Sequence, residues 1–186
     1  MALKSTIFKA ELQVADLDRG YYHDHALTIA RHPSENDARL MVRVLAFALH
    51  AHESLAFGEG IAASDEPDLW LRDLTGAVEL WIDVGQPDEK LVRRAASRAR
   101  QVAIYPFGRA VEAWWVRSGP ALAKLTNLSV RRVPHEAVDA LAALARRTMR
   151  LQCTVQDRQA WMGSAEASVR VELDDWQLPA HDGSRR

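Results

Sequence analysis

Hydrophobic and polar positions alternate with a period of two near both ends of the chain, and recur with a helical period in the segments between. In "IFKAELQV", Phe8, Ala10, Leu12 and Val14 alternate with Lys9, Glu11 and Gln13, which predicts a strand buried on one face, with "HALTIARH" as its partner. In "HPSENDARLMVRVLAFALHAHE", Ser34 is placed to cap a helix over 35–50, with Glu35 and Asp37 in its first turn and Met41, Val44, Leu45 and Ala48 as its core stripe. Three short strands are expected next, at "SLAF", "DLWLRDL" and "AVELWIDV", the last bounded by Gly76 and Gly85. Pro87 suits the first position of a second helix over 88–100, and Asp88 and Glu89 suit its N-terminus. Beyond it the pattern predicts a strand at "QVAIYPF", a helix at "VEAWWV", a strand at "LSVRRV" and a helix at "HEAVDALAALARR". The alternating runs "TMRLQCTVQ" and "ASVRVEL" read as the arms of a hairpin, with room at "AWM" for a further short strand.

The chain has 186 residues, 48% of them hydrophobic, enough for one well-buried domain and too few for two large ones. One domain over 1–178 is expected, followed by a polar, frayed tail at 179–186. No uncharged apolar run approaches the roughly 18 residues of a membrane span, and the first residues lack a signal peptide's apolar core, so the expected location is cytoplasmic. Cys153 is the only cysteine and alternates with polar neighbours, which makes it a core residue. Net charge is -1 but unevenly distributed: residues 1–86 carry 7 Lys/Arg against 14 Asp/Glu, residues 87–150 carry 13 against 5, and residues 151–186 carry 4 against 6. The basic middle is either a surface for a phosphate backbone or the solvated faces of helices paired to the acidic half.

From Ser34 to Phe107 the expected order is helix, three strands, helix, strand. Together with "MALKSTIFKAELQVADLDRGYYHDHALTIARHPSE", "LAFALHA", "EPDLW", "ELWIDVGQPDEK", "RARQVAIY", "NLSV" and "WMG", this order resembles the YaeQ family of bacterial proteins. The resemblance implies an α/β (α+β) fold with a central mixed sheet flanked by helices: a variant of the PD-(D/E)xK nuclease-like (restriction endonuclease-like) core with extra N- and C-terminal strands. It implies an architecture without a particular reaction.

In typical proteins of that superfamily two carboxylates hold Mg²⁺ or Mn²⁺, hard cations that prefer oxygen, to polarise a phosphodiester and activate water. Asp68, in a literal Pro67-Asp68 pair, and Asp83, on the third core strand, match those positions. Each alone is ordinary turn or strand-end chemistry; their order in the fold is what marks them. The motif's lysine should lie two residues after Asp83, where this chain has Gly85. Lys90, one of 4 lysines against 20 arginines, and the amide of Gln86 are the candidates to replace it. Glu35 is a candidate third acidic ligand, although a glutamate beside a helix cap is favoured by the helix dipole without any metal. Arg94 and Arg98, four apart on one helix, are the candidate phosphate contacts.

Other constellations carry less. His23 and His25 share a strand face but lack a third zinc ligand, "HEAVD" has Asp139 where HExxH needs histidine, and adjacent Trp114 and Trp115 cannot both face one core from a helix. Two functions from different classes follow. One is metal-dependent phosphodiester hydrolysis through Asp68, Asp83 and Lys90 or Gln86. The other is a catalytically inactive module of the same fold that binds nucleic acid or a protein partner; Gly85 favours it, and the intact acidic pair with the adjacent Lys90 favours the first.

Overall fold

The structure, a computed structural model, describes residues 4–58 and 66–180. The alternating N-terminal runs form β1 (Thr6–Asp16) and β2 (Tyr21–Arg31), antiparallel along their whole length. β8 (Thr148–Gln156) pairs parallel to β1, and β9 (Gln159–Gly163) and β10 (Ser168–Val171) continue the sheet in the order β10-β9-β8-β1-β2. The expected hairpin of β8 with β10 is therefore a three-stranded meander, because "AWM" lies in a strand of its own between them.

A second sheet has the order β11-β7-β6-β5-β4-β3. Its strands are β3 (Leu55–Phe57), β4 (Leu69–Arg72), β5 (Val78–Val84), β6 (Ala99–Tyr105), β7 (Leu128–Arg132) and β11 (Asp174–Gln177). β5, β6 and β7 run parallel and the remaining pairs are antiparallel. One central sheet was expected; instead the terminal strands build a second mixed sheet of their own.

Among the described residues four helices complete the fold: α1 (Asp37–Leu49), α2 (Glu89–Arg98), α3 (Val111–Leu122) and α4 (His135–Ala142). Every residue of α1 from Leu40 to Ala48 is buried, because the helix lies between the inner faces of both sheets and against α4. A second apolar cluster, with Trp81, Val92, Val102, Trp114 and Leu128, joins the opposite face of the second sheet to α2 and α3. The layers therefore run sheet, α1 with α4, sheet, α2 with α3.

Two helix starts differ from expectation. The cap of α1 is Asn36, whose Oδ1 accepts the N–H of Arg39 at 2.9 Å, while the Ser34 hydroxyl is taken by His32 Nδ1 at 2.7 Å. The cap of α2 is Asp88, accepting the N–H of Lys90 at 2.8 Å, so Pro87 stands one residue outside the helix. α2 ends at Arg98 because β6 begins at Ala99. The tail is anchored as far as Ala180: the Gln177 amide donates to Leu122 and Leu125 carbonyls, and Ala180 N–H donates to Thr126 O. The remainder of the expected frayed segment, 181–186, lies outside the described residues.

Candidate functional site

Leu69 pairs with Ile82 across β4 and β5, so the next positions out, Asp68 and Asp83, meet at one end of the second sheet. They are linked directly: Asp68 N–H donates to Asp83 Oδ1 at 3.3 Å, and Val84 N–H donates to Asp68 Oδ2 at 2.8 Å. The other oxygens are also engaged. Asp83 Oδ2 accepts the indole N–H of Trp81 at 2.9 Å, and Asp68 Oδ1 accepts Arg39 Nη2 at 2.7 Å. Burial pushes the Asp83 carboxyl up to about 6, helped by the charge of Asp68 and opposed by the Trp81 bond and Arg39.

The counter-charge comes from α1. Arg39 also reaches Glu35 Oε1 at 3.2 Å, and Arg43 holds both Glu35 oxygens at 3.2 Å with its Nε 3.7 Å from Asp68 Oδ1. Arg43 is wholly buried, with its guanidinium over the Phe57 ring. Its charge is tolerated there because Glu35 and Asp68 flank it. Acids and bases therefore alternate from Asp68 through Arg39 and Glu35 to Arg43, between the helix and the sheet, and Asp83 joins them through the backbone N–H of Asp68.

Of the remaining candidates, only Glu35 joins this network, through the arginines. Glu35 precedes the cap of α1 and spends its carboxylate on two arginines. The Gln86 amide donates to Phe107 O at 2.8 Å, which ties the loop after β5 to the end of β6. Lys90 is exposed in the first turn of α2 and forms no ion pair with either aspartate. Arg94 and Arg98, the candidate phosphate contacts, are exposed on α2. Neither aspartate fits a resident divalent cation. All four oxygens accept hydrogen bonds, a guanidinium faces Asp68, and among the described residues no three His, Cys, Asp or Glu side chains gather to hold a metal ion.

A family model described as YaeQ protein matches residues 1–173. The chain belongs to the YaeQ family. The YaeQ proteins of Salmonella typhi and of Escherichia coli K12 are each 42% identical to it over 181 residues, covering 97% of this chain and 100% of theirs. The crystal structure of the YaeQ protein from Xanthomonas axonopodis pv. citri superposes with a TM-score of 0.90 at 47% identity, covering 94% of this chain and 99% of the other. That from Pseudomonas syringae also gives 0.90, at 34% identity, covering 95% and 98%.

This YaeQ-family chain holds two further polar features that sequence reasoning missed. Arg39 and Arg43 follow Glu35 at spacings of four, and a second arginine inside the apolar stripe of α1 was the available signal. The other joins the layers: His50, at the end of α1, lies 2.6 Å from the Tyr105 hydroxyl, near Arg131, which pairs with Asp175 at 2.8 Å. Burial, with Arg19 and Arg131 nearby, pulls His50 down to about 4. Trp114 is in the core and Trp115 stacks on Trp176; His23 is exposed, and His25 packs edge-on against Phe47.

Proposed function

We propose that this YaeQ-family protein is a PD-(D/E)xK-like module that binds nucleic acid through its phosphates on the α2 and α3 layer and does not hydrolyse it. The observation that carries the reading is the Arg39–Asp68 ion pair. In a hydrolase of this plan the paired carboxylates concentrate negative charge for a cation; here a fixed arginine already supplies the positive charge. The position of the motif lysine is Gly85, at φ +92, and neither Lys90 nor Gln86 takes its place.

Phosphate binding is supported by the second helical layer. Lys90 and Arg98 on α2, and Arg109, Arg117 and Lys124 on or beside α3, are exposed and form no ion pair among the described residues. Their neighbours Arg93 and Arg100 are paired, with Glu89 and Glu79. Unpaired cations on one layer are the electrostatic footprint of a phosphate backbone.

The test is binding of fluorescent single-stranded and duplex DNA and RNA across a salt series. Affinity is expected to fall steeply with salt, and Arg94→Ala/Arg98→Ala to reduce the log–log slope by roughly 1 to 2. With Mg²⁺ or Mn²⁺ no cleavage is expected. Cleavage by the purified protein that Asp83→Asn abolishes would replace this reading with hydrolysis, and salt-insensitive binding would remove the phosphate surface.

A further inference from the structure

We infer that the β4–β5 hairpin carries a base-stacking platform, built by Arg72 on Trp70, which makes single-stranded nucleic acid the preferred ligand; the inference rests on the phosphate-binding reading above. Trp70 pairs with Trp81 across the two strands, so both rings stand on the α2 side of the sheet, edge to face with centroids 6.3 Å apart. Trp81 is buried in the same cluster as Val92 and Ala95 of α2. Trp70, one strand further out, is partly exposed. The guanidinium carbon of Arg72 lies 3.3 Å from the Trp70 ring centroid, and Arg72 is exposed. Its outer plane is an open, charged surface of the size of a base edge, backed by an aromatic ring.

The platform is held in place and is close to the proposed phosphate contacts. Asp73 Oδ1 accepts from Thr75 N–H at 2.8 Å, Thr75 Oγ1 at 2.6 Å and Ala77 N–H at 3.0 Å, which fixes the turn that follows Arg72. Arg72 pairs with Val78, and Val78 with Ala99, the residue after Arg98. Two strand spacings separate the platform from that end of α2, roughly 10 Å. Lys90 stands at the other end of the helix, about 12 Å along its axis. A backbone following α2 therefore passes the platform, and only an unpaired base has a face free to stack there.

The experiment uses the full-length protein with a labelled oligothymidine containing one 2-aminopurine, and with the duplex it forms with its complement. Wild type is expected to quench 2-aminopurine in the single strand and not in the duplex. Arg72→Ala should weaken single-strand affinity roughly ten-fold or more and leave duplex affinity within two-fold. Arg72→Lys keeps the charge without the plane, so it should preserve the salt slope while restoring neither the quenching nor the affinity. Full rescue by Arg72→Lys would overturn the platform, as would Arg72→Ala and Trp70→Ala both staying within two-fold of wild type on the single strand. If Arg94→Ala/Arg98→Ala weakens binding while those hairpin variants do not, the phosphate reading stands and the platform alone falls. No binding of wild type to either probe removes both.

Discussion

Asp83 is a carboxyl that the fold prefers uncharged. Its value is raised to about 6 from an ordinary value near 3.8, so the unfolded chain ionises first as pH rises and the native state is penalised across that window. This unfavourable contribution therefore grows from the unfolded value upward, is complete above about pH 6, and vanishes below the unfolded value. Both Asp83 oxygens accept hydrogen bonds, so Asp83→Asn loses one of them and is destabilised at pH 5. Because the amide does not titrate, the gap from wild type should narrow by on the order of 1–2 kcal/mol at pH 8. Urea unfolding of both proteins at the two pH values measures it, and an unchanged gap would deny the raised value. Asp68, with Arg39 on one oxygen and a backbone N–H on the other, has a partner for each and the opposite task of neutralising the helix.

The elements around this pair depend on single backbone positions. Gly85, between β5 and α2, has φ +92 and open space around a would-be Cβ, so conformation, not crowding, restricts it. Gly85→Lys, which restores the residue type of the nuclease motif, is expected to cost about 1–2 kcal/mol in a thermal or urea melt and to confer no cleavage. Equal stability of Gly85→Lys and wild type would show that the turn accepts a side chain. β1 was legible because it buries one face: Phe8, Ala10, Leu12 and Val14 are all in the core, as their spacing implied. α1 was legible as a helix, but a stripe of four core residues understated a helix enclosed on every side. β11 was missed because "DDWQ" has no alternation and is held by Arg131 and Arg132 pairing with Asp175 and Asp174. Convergence of Asp68 with Asp83 followed from strand order; their arginine partners did not, since a helix's contacts across a sheet depend on how the layers stack.

At the scale of the whole molecule, the two sheets share one core cluster with α1, and His50 is one of the polar ties through it. Its value is lowered to about 4, below an unfolded 6.5, so the stability it confers is complete above pH 6.5 and is lost as pH falls toward 4. His50→Gln can retain a bond to Tyr105 without titrating. It should flatten the acid limb by up to about 3 kcal/mol between pH 7 and pH 4, read from urea midpoints. An acid limb equal to that of wild type would mean that another group governs it. Over the same range the Asp83 contribution runs the other way, so only the single variants separate the two.

The parallel pairing of β1 with β8 also sets a schedule for synthesis. β1 and β2 are made before β8, with Phe8, Leu12, Leu27 and Ile29 waiting for a core. The far edge of β1 finds its partner only when β8 is made, and in the finished protein Gln13 bonds Gln152 across a separation of 139 residues. At about 5–20 residues per second the nascent hairpin presents an open edge for roughly 10 seconds. During that interval the free edge of β1 is open to wrong pairing, and pairing with β8 closes it.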